Sequence, residues 1–120
     1  MIVLFGKKLN ALAGGSYLHI CPGCDMTHII HTETANPYTG AKWEFNRNPE
    51  APTFSPSILL RYSHPKGHTN ENPAPIGWQG EYVNTICHYF IRNGMIEYCS
   101  DSTHEFAGRT VELPDYNDDI

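Results

Sequence analysis

At 120 residues the chain suits one domain, and 40% hydrophobic residues against 18% charged ones support a core of modest size. A net charge of −5 with no basic run excludes a general nucleic-acid binder. No apolar stretch approaches a membrane span, and the Met1–Phe5 run has its lysines after it (Lys7, Lys8), whereas a secretory signal has them before. The expectation is a soluble cytoplasmic protein without a membrane partner.

In chain order, short runs rich in Val, Ile, Tyr, Phe and Thr, bounded by Gly, Pro or Asn, predict strands. They cover Ile2–Phe5, Tyr17–Ile20, His28–Thr32, Lys42–Phe45, Ser57–Tyr62, Tyr82–Arg92, Met95–Cys99 and Thr110–Leu113. One short helical turn is expected over Asn10–Ala13. Asn93-Gly94, between two alternating runs, signals a hairpin. Residues 64–81, with His64, His68, three prolines and Gly77, read as a long irregular loop that Ile76 and Trp78 fold back onto the body. Acidic residues 115–119 are expected to fray. The fold class is therefore mainly β: a single compact domain over 1–120.

Cys21-Pro22-Gly23-Cys24 supplies two thiolates in a tight turn, the geometry of a metal knuckle. A closed tetrahedral site needs two more ligands, and Cys87, His88, Cys99 and His104 lie within one short downstream segment. In a reducing compartment four cysteines favour a structural zinc over disulfides. Two registers of the Asn93-Gly94 hairpin give different sites. A two-residue turn pairs Arg92 with Met95, sets His88 opposite Cys99, and yields Cys21, Cys24, His88 and Cys99. A three-residue loop yields Cys21, Cys24, Cys87 and Cys99. The four-cysteine set is preferred because it uses every cysteine. His28 or His31, just after the knuckle, is a substitute for a distal ligand, whereas His19, His64 and His68 read as surface or loop residues.

The phrases Trp43-Glu44-Phe45-Asn46, Ala51-Pro52-Thr53-Phe54-Ser55-Pro56-Ser57, Cys87-His88-Tyr89-Phe90-Ile91, Asp101-Ser102-Thr103-His104 and Ala107-Gly108-Arg109 carry a resemblance. Over residues 17–115 the chain resembles a family of small zinc-binding proteins of phages and prophages. Some members are labelled ammonia monooxygenase, a name these residues do not support. Relatives occur beside bacterial ubiquitin-like conjugation genes, which implies a serine-dependent protease acting on a ubiquitin-like protein. Relatives carry an apolar residue at the position of Cys99 and a cysteine at that of Ser102, which puts the fourth ligand in question.

Independently of the resemblance, Ser55, Ser57, His88, Asp101 and His104 form the polar set from which a nucleophile, base and orienting group can be drawn. Ser55, stiffened between prolines, is the expected nucleophile; His88 is the base, with Asp101 and His104 orienting or stabilising. Against this stands the bland alternative that Ser-Pro segments and Asp-Ser-Thr-His merely form turns and caps. The first expectation is a zinc-stabilised serine peptidase or isopeptidase. Its rival is a phage accessory or anti-defence protein that grips a host protein through Trp43, Tyr62, Trp78 and Tyr82.

Overall fold

The computed structural model describes residues 2–68 and 72–116. Four strands, β1 (Ile2–Phe5), β2 (Leu9–Leu12), β3 (Ser16–Cys21) and β4 (Met26–His31), form one antiparallel meander. Five more, β5 (Glu44–Phe45), β6 (Phe54–Pro65), β7 (Tyr82–Arg92), β8 (Met95–Tyr98) and β9 (Thr110–Glu112), form a second. No α-helix occurs among the described residues, and the helical turn expected near Asn10 is instead β2, whose Ala11 faces Tyr17 across the ladder.

One hydrophobic core serves both sheets. Leu9, Tyr17 and Ile30 from the first pack with Phe54, Ile58, Tyr89, Ile91 and Ile96 from the second. An aromatic cluster joins them at one end, where Phe45 stacks on Phe54 at 4.4 Å between ring centres and Tyr17 meets Phe45 at 4.8 Å. Such pairs contribute about 0.5–1.5 kcal/mol beyond the area they bury. Lys8 fastens the edges: its buried Nζ donates to the Leu113 carbonyl (2.6 Å), Glu112 (3.1 Å) and Asp115 (3.2 Å).

Strict alternation on β7 decides where function can sit. Thr85, Cys87, Tyr89 and Ile91 are buried against the first sheet, while Ile86, His88 and Phe90 look outward. Asn93 and Gly94 adopt positive φ (52° and 77°) in a two-residue turn that pairs Arg92 with Met95. The hairpin therefore takes the register that sets His88 and Cys99 side by side on the outer face.

The β6–β7 pairing runs on to Pro65 and Tyr82, and the Lys66 N–H donates to the Glu81 carbonyl at 2.8 Å, so the irregular loop is shorter than expected. Within it Trp78 is held by His68 (4.7 Å between rings) and by the Glu81 carbonyl, whereas Ile76 is fully exposed rather than folded back. Residues 69–71 of that loop lie outside the described residues. At the C-terminus Asp115 holds Lys8 and the Tyr116 N–H donates to the Lys7 carbonyl, so 115–116 are tied down; the remainder of the expected frayed tail lies outside the described residues.

Candidate active site and metal centre

Two clusters of chemically capable side chains lie back to back across the second sheet. The inner one is made of sulfur. Cys21 ends β3, Cys24 closes the turn into β4, and Cys87 comes from the inner face of β7. Cys21 Sγ and Cys87 Sγ are 3.8 Å apart, and His104 Nε2 is 3.4 Å from Cys87 Sγ. Ligand atoms about 2.3 Å (S) and 2.0–2.1 Å (N) from one zinc at tetrahedral angles stand roughly 3.5–3.8 Å apart, so each of these two pairs has the spacing of neighbouring ligands on one ion. Cys24, Cys87 and His104 form one group that could hold a metal, and Cys21, His28 and Cys87 another that shares Cys87 with it.

The protonation pattern reflects the crowding. Hydrogen bonds from the Cys24 and Cys87 thiols pull the Cys21 thiol far below its usual range. The same bond to Cys21 pushes the Cys24 thiol up to about 11 and the Cys87 thiol higher still. Crowded thiols of this kind favour ionisation of one at the expense of its neighbours, the electrostatics a thiophilic cation would relieve. Tyr98 supports it from behind: its hydroxyl accepts the Gly23 N–H (3.0 Å) and lies 3.1 Å from Cys21 Sγ. Gly23 has no side chain because a Cβ there would stand 2.5 Å from the His104 ring.

A buried polar layer surrounds the sulfurs. Tyr89 OH bridges His19 Nε2 (2.7 Å) and His28 Nδ1 (2.9 Å). Burial lowers the His19 imidazole to about 4 and lowers His28 as well, so both are neutral. His19 is thus fully buried, not a surface residue, because alternation on β3 turns it with Tyr17 and Cys21 toward the core. Among the described residues His28 Nε2 is buried with no hydrogen-bond partner, beside Cys21 and Cys87.

The outer cluster is built around His88. Its Nε2 lies 3.1 Å from Ser57 Oγ, and its Nδ1 lies 3.1 Å from both Asp101 carboxylate oxygens. With Asp101 ionised, Nδ1–H donates to the carboxylate and Nε2 is left to accept the Ser57 proton. Ser57 reaches this place because Leu59 pairs with His88, so residues of β6 with odd numbers from 57 share His88's face. The β6–β7 register shifts between Phe54 and Ile58, and the Trp43 indole N–H holds the Ser57 carbonyl at 3.1 Å. His88 is 26% exposed and Asp101 60%, so the cluster opens to solvent. Exposed Leu59 lies beside His88, and Arg92 sits 4.0 Å over the ring of outward-facing Phe90.

One segment supplies both clusters. After β8 the chain runs back beside β7. The Thr103 N–H donates to the Ile86 carbonyl, the Ile86 N–H to Thr103 Oγ1, and Ser102 Oγ accepts the His88 N–H while donating to the His88 carbonyl. Held this way, Asp101 reaches His88 on the outside and His104 reaches Cys87 on the inside.

Several residues expected to stand together do not, and others do. Ser55 is exposed, opposite Glu44 on the edge toward β5, and it is Ser57 that meets His88. Cys99 does not join the sulfurs: it follows Glu97 on the outer face and groups with His88 and Asp101. His104 sits with the sulfurs rather than beside His88. His88 faces away from the knuckle, so neither hairpin register gives the ligand set inferred from it. Ser102 is engaged with the His88 backbone. Of the four aromatics expected to grip a partner, Trp43 is packed against the core, Tyr62 and Trp78 are half-buried, and Tyr82 is 54% exposed. The sequence reading placed Ser57 in the polar set without singling it out; the Leu59–His88 register is the signal that sets it beside His88.

A model of the bacterial ubiquitination-like system serine protease family, BubE, matches residues 4–99. The chain belongs to the BubE family. The match takes in Ser57, His88, Cys99 and the three cysteines of the sulfur cluster, Cys21, Cys24 and Cys87; Asp101 and His104 lie beyond it and enter on geometry alone. No curated protein and no solved structure matches the chain. No helix among the described residues is long and apolar enough to cross a membrane.

Proposed function

We propose that the chain is a cytoplasmic serine peptidase that cuts a peptide or isopeptide bond of a protein substrate, with a ubiquitin-like protein as the substrate class. The family description supports this, and the relay Ser57 Oγ–His88 Nε2–His88 Nδ1–Asp101 carries it. Ser57 Oγ attacks the carbonyl carbon as its proton passes to His88 Nε2. Asp101 holds the imidazole in the required tautomer and stabilises the imidazolium that forms. Collapse of the tetrahedral species breaks the C–N bond, and Nε2–H protonates the departing amine. Water, deprotonated by the same nitrogen, then hydrolyses the ester on Ser57. The interruption of the β6–β7 ladder between Phe54 and Ile58 frees backbone beside Ser57 for the oxyanion.

The metal in this reading is a structural zinc, held by Cys21, Cys24, Cys87 and His104. Three thiolates and an imidazole leave no open position for a substrate or water. His28 and Tyr98 form the surrounding layer. Bound there, zinc would tie the turn of the first sheet to β7 and to the segment carrying Asp101, and those residues would hold the spacing of His88 and Asp101.

The test is a serine-directed covalent probe on zinc-loaded protein. Ser57 is labelled, labelling disappears in Ser57→Ala and His88→Ala, and Ser55→Ala is labelled as well as the wild type. Labelling at Ser55, or a folded zinc-loaded protein with inert Ser57, overturns the assignment. Cleavage after the C-terminal tail of a ubiquitin-like fusion then tests the substrate class.

A further inference from the structure

Cys99, His88 and Asp101 place a thiol sulfur, an imidazole nitrogen and a carboxylate oxygen all within 4.8 Å of one another on the solvent side of the second sheet. The relay uses His88 and Asp101 and leaves Cys99 without a part. We propose that these three residues form a second, inhibitory binding site for zinc or a similar thiophilic divalent cation.

The argument begins with position. Cys99 is fixed by two main-chain bonds, its N–H to the His88 carbonyl at 2.8 Å and its carbonyl to the Ser102 N–H at 3.1 Å. It is partly exposed, so an ion reaches it from solvent without opening the core. Sulfur, nitrogen and carboxylate oxygen are all ordinary zinc ligands, and three of them leave a fourth place for water, so the site is weaker and more exchangeable than the closed one inside. An ion held there takes the Nδ1 lone pair, which leaves the imidazole proton on Nε2; it also takes up the carboxylate, and the Cys99 thiol proton leaves to solvent. Asp101 can then no longer stabilise an imidazolium, and His88, protonated at Nε2, can no longer accept the Ser57 proton. Binding and turnover are mutually exclusive at this site.

The inhibition rests on reading Ser57, His88 and Asp101 as the reaction centre; the binding does not, and the experiment separates them. Protein loaded with one equivalent of zinc is titrated with further zinc by calorimetry, and peptidase activity is followed over the same range. A second equivalent binds to wild type and activity falls in step. Cys99→Ser keeps its activity without added zinc, resists inhibition, and binds the second ion weaker by more than about tenfold, since even an outer-shell deletion costs that much. Asp101→Asn weakens the second ion likewise. Wild-type affinity for the second ion in both variants, or no second equivalent in wild type, overturns the proposal. A second equivalent lost in both variants, in a protein without peptidase activity, upholds the site and removes only the reaction-centre reading.

Discussion

Ser102 is buried between β7 and the segment after β8, where its hydroxyl serves both main-chain groups of His88 at 3.0 Å. Ser102→Ala leaves the His88 N–H without that partner, a loss of about 1–3 kcal/mol in stability. Urea unfolding measures it, and kcat falls with little change in KM, because His88 is displaced while the outer surface stays as it was. Gly23→Ala acts on the other side of the sheet. The added methyl meets the His104 ring at 2.5–2.8 Å and pushes it off Cys87. Zinc affinity is expected to fall by about ten- to a hundredfold, the size of effect seen when a ligand loses its support, with a chelator competition as the measurement. Both residues show what was hidden at this scale. Ser55 and Ser57 are the same residue type on either side of Pro56, and the flanking prolines favoured Ser55; only the partner of Leu59 across the ladder shows which of them meets His88. The 66–81 excursion between β6 and β7 is too long to fix that register locally, as a two-residue turn would.

At the level of elements, β7 and β8 were legible because Asn93-Gly94 admits few conformations and the flanking runs alternate. The strands from Tyr82 to Arg92 and from Met95 to Tyr98 fall where that pattern puts them. The segment 99–104 was not legible, since it has no period; its place is set by hydroxyl-to-backbone bonds from Ser102 and Thr103. Cys99 looked like the fourth sulfur ligand for the same reason: counting cysteines says nothing about which face of β8 they leave from. The turn itself yields a test. Gly94 holds φ at +77°, where an L side chain costs about 1–2 kcal/mol, so Gly94→Ala lowers stability by that amount with Arg92 still facing Met95. Thermal unfolding reads the loss, and cross-strand amide contacts read the register. Lys8, from the edge of the first sheet, grips β9 and the tail through Leu113, Glu112 and Asp115. Lys8→Ala removes a buried donor from the Leu113 carbonyl and costs about 1–3 kcal/mol, visible as faster hydrogen exchange in β9.

Across the whole molecule, the sulfur cluster draws on both meanders, which also meet through the shared core, the Tyr89 bonds to His19 and His28, and the Lys8 contacts. That an early knuckle is joined to a late strand was readable from Cys21-Pro22-Gly23-Cys24 and the downstream ligands, and Cys87 takes the position opposite Cys21. Because metal binding to such a site is coupled to folding, Cys21→Ser and Cys24→Ser each lower stability on the order of 4 kcal/mol or more, a range that few losses other than a metal reach. Cys99→Ser, whose side chain lies outside the cluster, changes stability by about 0.5 kcal/mol or less. A chelator applied to wild type is expected to abolish both the cooperative transition and the peptidase activity in the end, and added zinc to restore both. The order of loss is informative. Asp101 and His104 hang on one clamped segment, so the ion's departure loosens His104 first, then Asp101, and His88 loses its carboxylate before β7 itself melts. Circular dichroism and turnover followed in one chelation time course therefore separate, with activity leading. If the two decay with one rate constant, the segment 99–104 does not relay the metal's hold to the reaction centre.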